Sequence, residues 1–221
     1  MATKKEKEAI VSTTLEIPAP KVVNTVIRVK GDTPLITHQW SEKAKKEMRD
    51  KQMGKATTKK SPKVPFEDFM DTIYWLDGEP EEKTPEAFNK ALNEGARVGF
   101  PATAFKQSAI MGAYRSGVDV KTTVARAAIT IPVEFVEIHH NGISMREDMV
   151  RVGGMSKTAD IRYRAQFNNW WADIPVSYNA SVMSLEQVLN LFQYGGIACG
   201  VGEWRNEKDG VFGAYHVEGA A

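Results

Sequence analysis

A chain of 221 residues with 42% hydrophobic and 26% charged content can bury a sizeable core and is too apolar to remain globally disordered. Its formal net charge of +1 excludes a protein that coats nucleic acid by bulk electrostatics, so any such role must rest on local patches. The single cysteine, Cys199, excludes an internal disulfide and a cysteine-rich metal site, and no run approaches the ~20 apolar residues that span a bilayer.

In chain order, residues 1–20 read as a mixed-charge tail without an apolar signal core, closed by Ile17-Pro-Ala-Pro20. Val22 to Lys30 is predicted to be a strand with Val23, Thr25, Ile27 and Val29 on one face. After Gly31-Asp-Thr-Pro34, Leu35 to Trp40 resumes in extended form. Ser41 caps a predicted helix to about Met53 that has almost no apolar stripe and so should lie on the surface. Gly54 to Pro65 reads as a loop, Phe66 to Gly78 as an amphipathic helix, and Thr84-Pro85 as the start of another that ends near Gly95. A further helix runs from Phe100-Pro101 to Gly117, with small residues on one face.

Beyond it the chain becomes strand-rich. Ile129 to Phe135 alternates, with Pro132 marking an edge or bulge, and Ile143 to Val152 is expected to pair with it as a hairpin. The cleanest two-residue period sets Ile161, Tyr163, Ala165 and Phe167 inward and Arg162, Arg164 and Gln166 outward. Ile174 to Ala180 is the next strand. Ser184-Leu-Glu-Gln187 is a capping box for a helix ending at Gly195, and Val211 to Val217 is the last strand. Stripped of its hairpins, the order is βαββαβ, the ferredoxin-like arrangement of an α+β antiparallel sheet. We therefore expect one domain over 21–221, with β-hairpin extensions and a helical insertion at about 41–95.

Charge is segregated within that insertion. From Ser41 to Lys63 nine Lys/Arg face three Asp/Glu, and from Phe66 to Glu94 nine acids face two lysines. Two solvated surfaces, or two that pair with each other, account for this. So does a basic arm for phosphates, carried by Lys43, Lys45 and Lys46, beside an acidic face for a neighbouring subunit.

The most specific segment is Gly195-Gly-Ile-Ala-Cys-Gly-Val-Gly-Glu-Trp-Arg205, followed by Gly210-Val-Phe-Gly213. Glycines let a backbone approach phosphates, and amides exposed there can cradle them; a tight helix-to-strand connection uses them equally well. Neither a Walker A loop nor a Rossmann fingerprint fits, since the glycines follow a helix instead of opening one. This segment resembles the glycine-rich loop of the RAMP (repeat-associated mysterious protein) superfamily, whose members build CRISPR effector backbones. Phe100-Pro-Ala-Thr-Ala-Phe-Lys106 with Gly112-Ala-Tyr-Arg115 resembles the family's Pro-x-Ser-Ser-Leu-Lys-Gly-x-x-Arg helix. Val29-Lys-Gly-Asp-Thr-Pro-Leu35 resembles its first strand and exit. Thr103 and Ala104 replace the two serines and Gln107 the glycine. The ending Gly-x-Gly-x-Trp-Arg…Gly-x-Phe-Gly is similar to single-domain RAMP-like proteins of bacteriophages.

The resemblance implies binding of a single strand, RNA favoured, along the sheet and the cleft beside the glycine loop. It also implies assembly into a multimer or ribonucleoprotein, in the cytoplasm of a bacterium or phage-infected cell. It carries over Lys106 and Arg115 from the helix, Gly200, Gly202 and Arg205 from the loop, and His38 at the strand exit. Arg162 and Arg164 add cations, while Trp204, Trp170 and Trp171 could stack on bases. Two alternatives remain: a metal-independent endoribonuclease using His139 or His140, and a phage structural or inhibitor protein acting through protein contacts. No catalytic centre, cofactor or metal site is indicated by spacing.

Overall fold

The computed structural model describes residues 17–55, 62–152 and 158–220. The expected tail falls outside these up to residue 16, and the expected loop from Gly54 to Pro65 falls outside them at 56–61. In chain order the elements are β1 (Val22–Gly31), β2 (Leu35–Thr37), α1 (Glu42–Gln52), α2 (Pro65–Met70), β3 (Tyr74–Trp75) and α3 (Pro85–Asn93). They continue with β4 (Val98–Pro101), α4 (Ala102–Arg115), α5 (Thr122–Ala128), β5 (Ile129–Thr130), β6 (Phe135–Glu137) and β7 (Ile143–Val152). The last are β8 (Thr158–Phe167), β9 (Trp171–Asn179), α6 (Leu185–Ala198) and β10 (Tyr215–Ala220). The fold is α+β, and every pairing between these strands is antiparallel.

Four strands form the largest sheet in the order β10-β1-β9-β5; β2-β8-β7 and β3-β4-β6 form two smaller ones. The alternation in β1 is realised: Ile27 and Val29 are buried while Arg28 and Lys30 are exposed. Both long helices cover the buried face of this sheet, because both meet Tyr215 of β10. Phe105 of α4 packs its ring on Tyr215 and Trp170. The Tyr215 hydroxyl donates to Ser108 Oγ (3.1 Å), which donates to the Gly195 carbonyl of α6 (2.9 Å). Burying side chains such as Ile27, Ile174, Phe105 and Phe192 stabilises the fold by about 1.5–3 kcal/mol each. The capping box of α6 is present: Gln187 N donates to Ser184 Oγ, and Ser184 N to Gln187 Oε1.

Five sequence expectations are corrected. The helix expected from Phe66 to Gly78 stops at Met70, where Thr72 takes over: its hydroxyl donates to Phe69 O and accepts from Ala165 N. Tyr74 and Trp75 then pair with Gly99 and Val98, so the insertion is not wholly helical. Ile143 to Val152 pairs with β8 instead of the Ile129–Phe135 segment, which Pro132 splits into β5 and β6. β8 lies in the three-stranded sheet with α2 packed on it, while α6 packs on β10. The final strand begins at Tyr215, because Val211 to Ala214 belong to the glycine loop.

The fifth concerns Gly195, expected to end α6 but lying inside it together with Gly196. They are contact points: a Cβ on Gly196 would stand 1.8 Å from the Tyr215 carbonyl oxygen, and one on Gly195 2.7 Å from Ala109 N. A Gly196→Ala substitution should cost about 3 kcal/mol by overpacking, lowering the melting midpoint by about 6–12 °C. Gly219→Ala, with open space at its Cβ position, should melt like the unaltered protein in the same calorimetric scan.

Candidate functional site

The glycine loop begins where α6 ends, at Cys199, and returns at Gly213. Gly202 (φ +83°) lies so close to β2 that a Cβ would stand 2.5 Å from Ile36 O; at Gly213 (φ +67°) it would stand 1.7 Å from Val201 O. The amides are largely consumed. Val201 N donates to Gly213 O (2.9 Å), Glu203 N to Ile36 O (2.9 Å), Glu207 N to Cys199 O (3.1 Å) and Gly213 N to Pro34 O (2.9 Å). The expected row of free amides for phosphates is therefore mostly spent on holding the loop against the sheet. What remains to act on a ligand is side chains.

A cleft of about 160 Å³ opens between this loop, α4 and the end of β2. Its polar wall includes His38, Ser108, Glu203, Arg205 and Glu207, and its apolar wall Tyr74 and Phe100. Arg205 donates through Nε (2.9 Å) and Nη2 (2.6 Å) to Glu207 Oε2, and through Nη1 to Gly202 O (2.9 Å). Arg115, at the end of α4, donates to the other oxygen of Glu207 (3.1 Å). Burial pushes the Glu207 carboxyl up, but the hydrogen bonds and charge of Arg205 with Arg115 outweigh it and hold the group below the usual carboxylate range.

Arg164 lies behind the loop. It is only 2% exposed, donating to Asp148 (3.1 Å) and Glu203 (3.4 Å), with its guanidinium 5.9 Å from the Trp204 ring. Arg146 completes the group, donating to Asp148 (2.7 Å) over the Phe212 ring. Arg164 therefore does not project into solvent as the two-residue period predicted. The glycine loop covers that face of β8, while the far end of the β7–β8 hairpin runs past β2 and leaves Ile161 43% exposed. Tyr163 is half-buried, Ala165 and Phe167 fully so.

A second groove of about 480 Å³ runs from α1 along β8. Its wall includes Trp40, Ala44, Lys63, Asp68, Arg162 and Tyr163. Lys63 Nζ donates to Asp160 (2.6 Å), which holds that carboxyl below its ordinary range. Helix α1 buries none of its side chains, as its composition predicted. Lys45 pairs with Glu42 (2.7 Å), while Lys43 and Lys46 make no hydrogen bond or ion pair among the described residues. His38 and Glu203 line both this groove and the cleft, so the two are neighbours that meet at these side chains.

Of the residues singled out from sequence, His38, Arg162, Gly200, Gly202 and Arg205 line the two cavities and Arg115, Arg164 and Trp204 border them, while Lys43, Lys45 and Lys46 stand on α1, which gives only Ala44 to the wall. Lys106 lines neither. The cleft takes Ala104, Gln107, Ser108 and Met111 from α4, and ~100° per residue places Lys106 about 150° away. Trp170 is fully buried, its indole N–H donating to Thr33 O (2.8 Å). Trp171 lies on the open face of the large sheet, stacked on His139. That face is electrically closed, with Arg28 on Asp173, Lys30 on Glu218 and His216 on Asp32. His140 packs on Phe167, and neither His139 nor His140 lines either cavity. Sequence reasoning missed Glu203, Glu207, Lys63 and Trp40. Glu203 and Glu207 sit inside the glycine segment, and an arginine-bearing loop that folds tightly needs a partner for its charge.

No protein-family model matches the chain, and comparison with curated proteins finds no match. Among the described residues no group of three His, Cys, Asp or Glu could hold a metal ion, and no helix is long and apolar enough to cross a membrane.

Burial, and for His38 the Arg164 charge, lowers the affinity of His38 and His140 for a proton below the ordinary value near 6.5. The unfolded chain then binds protons that the folded one refuses, so these groups' contribution is complete above about pH 6.5 and is lost as pH falls through their folded values. The melting midpoint should therefore fall between pH 7.5 and 5.5, and fall less in a His38→Asn, His140→Asn double variant. Equal slopes would show that neither histidine is coupled to folding.

Proposed function

We propose that this protein binds single-stranded nucleic acid, RNA in preference, in the adjoining groove and cleft between α1 and the glycine loop, and that it does so without chemistry. The observation that carries the reading is that the cleft and the α1 groove share His38 and Glu203. The two cavities thereby bring Arg162 and Arg205 close to one line, with Lys63 at one end, α1 and its exposed Lys43 and Lys46 beyond it, and Arg115 at the other end. Phosphate neutralisation needs cations from separate segments along one line. We read the scaffold as ferredoxin-like, of the RAMP type. The order β10-β1-β9-β5, with α4 and α6 as crossovers that each skip one strand, supports that reading. Assembly along the strand belongs to the same proposal. The cationic, unpacked α1 is opposite in sign, and so complementary, to a concave surface that carries Asp77, Glu79, Glu81, Glu82, Glu86 and Glu94.

Each phosphate contact contributes about 0.7 to the logarithmic salt slope on a single strand. An Arg162→Gln, Arg205→Gln double variant should flatten the slope by about 1.4, and Lys106→Gln should leave it unchanged, in anisotropy titrations from 50 to 300 mM salt (about a sixfold range). Glu207→Gln releases Arg115 and Arg205 and should tighten binding. An unaltered protein that binds no single strand at low salt would remove this function and leave the protein-contact reading in front.

A further inference from the structure

We propose that Trp40 is the base-stacking platform of the groove, the point at which a bound strand lays one nucleobase flat on the protein. The inference rests on the strand-binding reading above and assigns the bases, as distinct from the phosphates, a place.

The five tryptophans divide sharply. Trp75 packs edge-on against Phe88, Trp170 is in the core, Trp171 stacks on His139, and Trp204 lies under the Arg164 guanidinium. Trp40 alone has no ring contact, ion pair or hydrogen bond among the described residues, and it is the most exposed, at 55%. An uncommitted indole of that size in water forgoes the burial its surface would gain against a partner.

Its backbone is fixed on both sides. The amide of Gln39 donates to Thr72 O (3.2 Å), and Ser41 caps α1, its hydroxyl accepting from Ala44 N (3.1 Å) and its carbonyl from Lys45 N (3.0 Å). Only two side-chain torsions remain free, so little conformational entropy is lost when the ring is covered.

The surroundings select the kind of partner. Trp40 shares its groove with His38, with Lys63 and Arg162, which both pair with Asp160, and with the carboxylates of Asp68, Asp71 and Glu203, while Lys43 and Lys46 follow outside its wall in the first turns of α1. An apolar protein surface would have to desolvate all of these charges to reach the ring, whereas a strand can lay one planar base on the indole and keep its phosphates in water beside Lys43, Lys46 and Lys63. Stacking of this kind tolerates any base, since every base presents a π-face.

The test uses the full chain, a fluorescein-labelled 12-nucleotide single strand and an abasic oligomer with the same phosphates. Trp40→Ala should weaken binding of the base-bearing strand about tenfold and Trp40→Phe by less than about threefold, both with an unchanged salt slope. The abasic oligomer should bind the unaltered protein and Trp40→Ala equally. Trp40→Ala binding the base-bearing strand as tightly as the unaltered protein would overturn the assignment while leaving the strand-binding reading intact. Equal losses on both oligomers would also overturn it. So would a Trp40→Ala variant whose only defect is lost self-association in gel filtration, which would make the ring a protein contact. Failure of the unaltered protein to bind either oligomer would instead remove the reading on which it rests.

Discussion

Arg164 is the constraint on which the rest of the site depends. A guanidinium that is 2% exposed has given up nearly all its hydration, at an effective cost of several kcal/mol that only well-placed carboxylates and rings offset. Those partners come from separate segments: Asp148 from β7, Glu203 and Trp204 from the glycine loop. The loop and the hairpin must therefore dock together or not at all. Once they do, Gly202 has to approach β2 closely enough to exclude any side chain, and the amides around it are committed to carbonyls of β2 and of the loop itself. The cleft in front of Arg164 is thus preformed, with a wall held from behind by charge and from below by backbone hydrogen bonds.

That rigidity shapes what the two ends of the groove can offer. At the loop end, Arg205 presents two of its nitrogens to Glu207 and the third to Gly202 O, so an incoming phosphate has to share a guanidinium that is already satisfied. Such an end contributes shape and position more than affinity. At the other end Lys43 and Lys46 stand in water without a hydrogen bond or ion pair among the described residues, where on the proposed reading each phosphate they meet releases counterions and gains affinity in a salt-dependent way. Electrostatic attraction and geometric fit are assigned to different ends of the proposed path.

Much of the scaffold was legible in the sequence because its signals were local. The alternation in β1, the Ser184–Gln187 capping box and the unstriped α1 each report on a few neighbouring residues, and each appears in the structure. The errors share one physical origin. Arg164 obeys the same period as Arg162, and only the loop from forty residues further on, folding over β8, makes one of them core and leaves the other in the groove. The 66–78 segment has helical spacing, but Tyr74 and Trp75 gain more by pairing with β4 than by continuing α2. Lys106 lies in a recognisable motif, yet its helical angle turns it from the cleft, an outcome set by how α4 packs on α6 and the sheet.

The near-zero net charge also acquires meaning once the chain is folded. The basic stretch and the acidic stretch that follows it are not remote patches, for Asp68 of α2 lines the same groove as Lys63 and Arg162. Burial outweighs the pull of Lys63 and Lys43 and leaves the Asp68 carboxyl above its ordinary range, at the boundary between the two fields. On the proposed reading, a strand in this groove is drawn by Lys63 and Arg162 and repelled by Asp68 and Asp71, which sets its phosphates toward the cations and leaves a base to meet Trp40. On the open sheet face, by contrast, Arg28 has Asp173 beside it and Lys30 has Glu218, so the field of these cations is offset locally. The direction in which the proposed strand would lie is therefore set by where opposite charges stand within one groove, a property that a sum over the whole sequence conceals.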